Sequence, residues 1–308
     1  MRLPFTVGFE MTGLVPGYKE HPEENELGIK SPDISTQLLN RAMSTCIGAE
    51  LAEKYPKDFE IQEYTDGHCI EFASPVFQTI EAMDEFYKFV KKQFDKFQIT
   101  PHHPVTVCGG NHWHFGLSNQ IKIRNILRDF TNWWSVPWVF TQPDDTISCN
   151  GFLADKSMYE LQVFVKMGGR IDESTFSDPN NIACFKLLTT DQRIHLSTIS
   201  SFKDMCIGTN LPKTQRTLEF RCAEAPKSFS EFKDQQEFFM RYFAYALKLK
   251  SVPPITFISK EELQKVTPEA AHFNFQKLLK LLRLEPTRYE KYVHRNLYPR
   301  WEQGRERS

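Results

Sequence analysis

The segment that most constrains this chain is residues 105–118, VTVCGGNHWHFGLS. Three β-formers, Val105, Thr106 and Val107, lead into a Gly-Gly pair and then His112-Trp113-His114-Phe115 in strict alternation. Successive side chains of a strand point to opposite faces, so His112 and His114 project together while Trp113 and Phe115 face the other way. A single histidine is readily explained as a satisfied core residue. Two imidazoles on one face, backed by two large aromatics, point to a sheet that packs one side on a core and holds chemistry on the other.

The rest of the composition narrows the class. At 308 residues the chain is long enough to bury a substantial core as one or two domains. With 38 basic and 39 acidic residues it carries no global field that favours nucleic acid or an anionic membrane surface. The seven cysteines are scattered, with no Cys-x-x-Cys pair, which argues against a disulfide framework or a thiolate zinc site and suggests a reducing compartment. The opening MRLPFTVGFEMTG has no apolar signal-peptide core, and no stretch reaches the ~18 apolar residues of a membrane span. A soluble cytoplasmic protein is the expectation. The 26 Phe and 5 Trp call for a thick aromatic core or an apolar pocket.

Taken in order, residues 5–13 read as a strand with Val7, Phe9 and Met11 on one face and Gly8, Glu10 and Thr12 on the other. Residues 14–33, rich in Pro, Gly and Glu, read as a loop. Residues 35–55 read as a helix capped by Ser35, with Leu38, Leu39, Met43, Ile47 and Leu51 as its apolar stripe. Residues 59–75 suggest a hairpin turning at Asp66-Gly67, its second strand ending at Pro75. A helix over 80–97 has Thr79 as N-cap and Ile80, Met83, Phe86, Val90, Phe94 and Phe97 as its core face. Another helix is expected near 119–134, and 141–185 reads mainly as long loops. Strands are expected at 193–199 and within 213–226. Helices follow at 231–250, after a capping box of Ser259 with Glu262, and from Thr267-Pro268 onward, the last carrying Leu278, Leu279, Leu281 and Leu282.

Four strand segments share a pattern of apolar residues on one face and reactive ones on the other: Glu10; Glu71; His112 with His114; and Glu219 with Arg221. If they neighbour one another in a largely antiparallel sheet, one face packs on helices and the other collects three carboxylates, two imidazoles and a guanidinium. Clustered carboxylates repel unless protonated or bridged by cations. Oxygen donors with imidazole and no thiolate suit Mg²⁺ or Mn²⁺, and an arginine fork suits phosphate or carboxylate. No Walker A or G-x-G-x-x-G motif is present, so a phosphate site would be made by metals and basic side chains.

GFEMTG, DGHCIEFASP, CGGNHWHFGLS and RTLEFR, in this order, resemble the phage and bacterial amidoligases of the carboxylate–amine ligase superfamily, which includes glutamine synthetase. The matching positions are Gly8/Glu10, Glu71/Ser74/Pro75, Gly110/His112/His114 and Glu219/Phe220/Arg221, and the resemblance covers about residues 5–250. It implies an α+β, glutamine synthetase-like fold: a curved, largely antiparallel sheet with helices on one face and the active site on the other. A catalytic domain would occupy 1–250, with 251–308 a C-terminal helical extension packed on it. Glu10, Glu71, His112 and Glu219 would bind two or more Mg²⁺ or Mn²⁺ ions that hold ATP phosphates. Arg221 would contact the transferring phosphoryl group, with Glu10 and Glu71 beside it in the catalytic set. His114, Arg216 and Arg193 would line the nucleotide or phosphate site. Many relatives carry an acidic residue where this chain has Thr12, so one metal would need a ligand from elsewhere, such as Glu63 or Asp66.

The expected activity is ATP-dependent amide formation between a carboxylate and an amine through an acyl phosphate. The partners would be a small-molecule or peptide carboxylate and an amine, acting in the cytoplasm, or in the host cytoplasm if the chain is phage-encoded. Neither membrane nor nucleic acid is expected as a partner, and the oligomeric state stays open. A metal-dependent hydrolase using His-x-His with carboxylates, and a non-catalytic protein that retains the fold, are the alternatives.

Overall fold

In the computed structural model of the chain, the described residues are 2–24, 30–65, 69–100, 111–116, 126, 129–140, 207–210, 217–220, 222–250 and 265–299. They combine helices with antiparallel strand pairs and divide into two compact units. Of the described residues, the first holds those up to Trp113 together with Glu224–Phe232; the second holds those within 114–140, 207–223 and 233–299.

The first unit is built on β1, Arg2–Gly13, whose alternation is the one its sequence dictates. Val7, Phe9 and Met11 are buried while Gly8 and Glu10 are partly exposed. Its antiparallel partners are β4, Ile70–Ala73, and β5, Phe77–Thr79. The β1–β4 register sets Glu10 opposite Ala73, Met11 opposite Phe72, Thr12 opposite Glu71 and Gly13 opposite Ile70. The expected hairpin partner over 59–64 is not a strand. Its contribution is a bridge from Thr65 to Ile70 and a bond from the Glu71 N–H to the Tyr64 carbonyl. Its Asp66-Gly67 turn lies outside the described residues. Between Gly13 and the first helix, β2, Glu20–Glu24, and β3, Lys30–Pro32, form a short antiparallel pair where a loop was expected.

Helix α2, Ile80–Lys96, follows its pattern closely. The Thr79 hydroxyl accepts the Ala82 N–H at 3.3 Å, and Met83, Phe86, Val90 and Phe94 are fully buried. Gly13 ends β1 against this helix; a Cβ there would come within 2.5 Å of the Ile99 side chain and 2.9 Å of Phe94, so the close approach requires glycine. Phe232 stacks on Tyr87 with ring centroids 4.1 Å apart and reaches Phe9 at 5.0 Å and Trp113 at 5.4 Å, making an aromatic core behind β1.

Helix α1, Ile34–Lys54, departs from its sequence reading. The cap is Asp33, which accepts the Thr36 N–H at 2.7 Å, not Ser35. Ile47 and Leu51 are buried as expected, but the first half buries Thr36, Asn40 and Ser44 while Ile34 and Leu38 are 74% and 59% exposed. At Thr36 the reason is local: its Oγ1 accepts the Lys19 N–H at 3.0 Å and donates to the Lys19 carbonyl at 3.2 Å, so this position seals main-chain polar groups instead of an apolar side chain.

In the second unit β7, Ile207–Asn210, pairs antiparallel with β8, Thr217–Phe220, and residues of β6, Trp113–Gly116, neighbour β8. Of the expected helix near 119–134, the described residues Ile126, Asp129 and Phe130 are helical; a 3-10 turn, Thr131–Trp133, ends it, and the short α3, Val136–Phe140, follows beyond it. Helix α4, Phe229–Ala246, and α5, Pro268–Leu281, follow, the latter capped by Thr267, whose hydroxyl accepts the Ala270 N–H at 3.2 Å. Leu278, Leu279 and Leu282 are buried and Leu281 is 45% exposed. Phe115 stacks on Phe243 at 4.5 Å, and Phe140 packs on Phe238 at 4.7 Å. Asp234, almost wholly buried, gathers Arg288, Lys291 at 2.6 Å and the Tyr292 hydroxyl at 3.3 Å, tying α4 to a segment that ends in a π-helical turn, Val293–Leu297. The expected strand at 193–199, the loops at 141–185 and the Ser259/Glu262 capping box lie outside the described residues.

No helix among the described residues is long and apolar enough to cross a membrane.

Candidate active site

The sheet face opposite the aromatic core begins at Glu10. The Glu10 N–H points away from β4 and donates to the His112 carbonyl at 3.0 Å, while Glu10 Oε2 lies 2.5 Å from His112 Nδ1. Next to an ionised carboxylate, Nδ1 carries the proton and donates it. Both side chains are recessed, 15% and 6% exposed, so solvent screens this contact less than a surface ion pair.

Glu71 is on the same face. Directly opposed residues of an antiparallel pair share a side of the sheet, and Glu71 opposes Thr12, two residues beyond Glu10 on β1. Glu10 and Glu71 are therefore diagonal neighbours, an arrangement with backbone spacing of about 7–8 Å. Thr12 is 5% exposed. Ala73, opposite Glu10, is exposed and leaves only a methyl group beside the carboxylate. Glu63 is turned to the surface, where its Oε2 pairs with Arg41 Nε at 3.3 Å.

On β6 the alternation matches its reading: Trp113 and Phe115 are fully buried, and His114 is partly exposed. The backbone of Glu219 is on β8, opposite Gly208 of β7. The Glu219 side chain, Arg221, Arg216, Arg193 and Asp66 lie outside the described residues. Of the expected set, the structure brings Glu10 and His112 into contact and puts Glu71 on their face.

Among the described residues no group of three or more His, Cys, Asp or Glu side chains is placed to hold a metal ion. Carboxylate oxygen and imidazole nitrogen are donor types that suit Mg²⁺ or Mn²⁺, and with Nδ1 donating to Glu10 the ring would have to ligate through Nε2.

One motif position, Ser74, was given no role at the sequence level. Ser74 lies beside the Glu10 rung, and its Oγ accepts the Phe9 N–H at 2.9 Å. Its place directly before Pro75 was the available signal, because a proline that ends a ladder leaves the last rung to be closed by other means.

No family model and no curated protein matches this chain. Among solved structures it is similar to a chain in the crystal structure of the complex between prokaryotic ubiquitin-like protein Pup and its ligase PafA, at 10% identity and a TM-score of 0.40. The match covers 97% of this chain and 65% of that one, so the chain spans about two thirds of that structure's length.

Proposed function

We propose that this chain is an ATP-dependent carboxylate–amine ligase. The observation that carries the reading is the Glu10–His112 contact on a strand face shared with Glu71, because it draws on three of the four motifs that resemble the amidoligases. Glu10, Glu71, His112 and Glu219 would hold Mg²⁺ or Mn²⁺. The bound ions would neutralise phosphate charge during transfer.

The chain's own residues then have separable tasks. Arg221 grips the γ-phosphoryl group as charge spreads over its oxygens. His114, Arg216 and Arg193 orient the nucleotide phosphates. The substrate carboxylate attacks the γ-phosphorus, ADP departs, and an acyl phosphate forms. The amine nitrogen then attacks the acyl carbon, inorganic phosphate leaves, and the nitrogen gives up a proton to a base. Phosphorylation is needed because a carboxylate oxygen is a poor leaving group. The aromatic layer behind β1 supports the same reading, since a rigid backing holds such side chains to the tolerance a phosphoryl transfer needs.

The test is ADP release on mixing the full chain with Mg-ATP and arrays of candidate acids and amines. Release that requires both an acid and an amine supports the ligase; folded protein that binds metal yet gives none with any pair overturns it. Protection against thermal unfolding by ATP with Mg²⁺, abolished by EDTA, separates the ligase from a metal-dependent hydrolase, which needs no nucleotide.

A further inference from the structure

Ser74 closes the β1–β4 ladder in an unusual way. The register that sets Glu10 opposite Ala73 makes Phe9 and Ser74 the next opposed pair. In a regular antiparallel ladder such a hydrogen-bonded pair exchanges two main-chain bonds. Here one is made, from the Ser74 N–H to the Phe9 carbonyl at 2.8 Å. The other is not: the Phe9 N–H goes to Ser74 Oγ at 2.9 Å, and the hydroxyl donates onward to the Pro75 carbonyl at 2.9 Å. The side chain replaces a ladder carbonyl at the point where Pro75 turns the strand away. Glu10 is the next residue, and its own N–H leaves the ladder for His112.

We infer that Ser74 is a positioning residue for the Glu10–His112 couple, fixing through Phe9 the strand twist that aims the Glu10 carboxylate at the imidazole. Phe9 is 1% exposed, so water does not stand in for the hydroxyl at its N–H. Three fixed points, Ser74 on Phe9, His112 on Glu10, and the Met11–Phe72 rung, then bracket Glu10 from both sides. Without the first, Phe9 is held to Ser74 only by the Ser74 N–H bond to its carbonyl, so the residue before Glu10 is fixed at one point instead of two, and side-chain geometry at a site of this kind depends on such outer support. The inference rests on the ligase reading only for the meaning of the site, not for the geometry.

The experiment compares Ser74→Ala, which removes the hydroxyl and keeps the main-chain bond, with Ser74→Thr, which keeps both. Two quantities are read on the full chain: the ¹⁵N resonances of His112 in metal-free protein, assigned by comparison with His112→Asn, and Mn²⁺ affinity by electron paramagnetic resonance. Ser74→Ala is expected to shift the His112 Nδ1 signal away from its carboxylate-bonded position and to weaken Mn²⁺ about tenfold, while Ser74→Thr keeps both at wild type. A Ser74→Ala protein that melts lower but keeps the wild-type His112 signal overturns the inference and leaves Ser74 a purely structural residue. If wild-type protein binds no Mn²⁺, the metal-dependent ligase reading fails, and the His112 signal still decides the role of Ser74.

Discussion

Glu10 and His112 meet twice, once through the main chain at 3.0 Å and once through the side chains at 2.5 Å. The first contact sets where the two residues stand along their segments; the second sets where the carboxylate and ring point. Residues so coupled do not contribute independently. Glu10→Gln and His112→Asn are each expected to lower Mn²⁺ affinity about 10- to 100-fold, and the double variant to lose less than the product. The coupling in a double-mutant cycle should fall within about 0.5–3 kcal/mol. Metal titrations on all four proteins measure it, and strictly multiplicative losses would count against a shared site.

Glu219 and Arg221 belong to the proposed chemistry in different ways, and their variants should fail differently. Glu219→Gln keeps shape but removes charge from a proposed metal ligand, so metal and Mg-ATP affinity should fall together. Arg221→Lys keeps the charge and loses the planar fork. It should bind Mg-ATP near wild-type affinity and turn over far more slowly, because the fork acts in the transition state. If Arg221→Lys instead lowers the melting temperature and leaves turnover per folded molecule unchanged, Arg221 is a structural ion-pair partner.

Phe232 is the centre of the aromatic core behind β1, with Tyr87, Phe9 and Trp113 around it. Phe232→Ala should cost about 3–5 kcal/mol of unfolding free energy. Phe232→Leu, which fills more of the space, should cost less. Urea unfolding of both variants checks the order, and equal costs would mean that the cavity collapses around either side chain.

The strands at the candidate site were legible because they have one wet and one dry face; Val7, Phe9, Met11, Trp113 and Phe115 are buried as their alternation requires. Helix α1 was legible in its span and in the burial of Ile47 and Leu51, but not in its first half, where Thr36 bonds the main chain of Lys19 and leaves no periodic apolar signature. The hairpin reading held only in part: Thr65 bridges Ile70 and the Glu71 N–H reaches the Tyr64 carbonyl, but the longer partner of Ile70–Ala73 is β1, far away in sequence. Buried carboxylates were equally invisible. Asp129 and Asp234 sit on helical or turn segments where an acid ordinarily faces solvent, and only the tyrosines, tryptophan and cations brought from other elements make them interior residues.

Asp129 gives a pH prediction. Burial pushes its carboxyl above the ordinary value of 3.8, against the opposing effect of hydrogen bonds from Trp133, Tyr242 and Tyr245. The native state therefore binds this proton at a higher pH than the unfolded chain does. Between 3.8 and the raised value, stability from this group falls as pH rises, and above it the full cost of the buried charge remains. Asp129→Asn removes the titration. Its melting temperature relative to wild type should be highest near neutral pH and decline as pH is lowered toward 4. A difference that stays constant over that range would show that burial does not control this carboxyl.

A helix that turns hydroxyls inward and leucine outward also reverses the usual grammar of tolerance. On α1 a charged residue in place of Leu38 should be accepted with little change in melting temperature, whereas Thr36→Val, nearly equal in volume, should destabilise the protein because the Lys19 amide loses its hydroxyl partner, while the Lys19 carbonyl keeps the Asp33 N–H. Drift over many generations would then preserve the polar residues of this stretch and scatter the apolar ones. A lineage of such chains would carry the record of its interior in threonine, asparagine and serine.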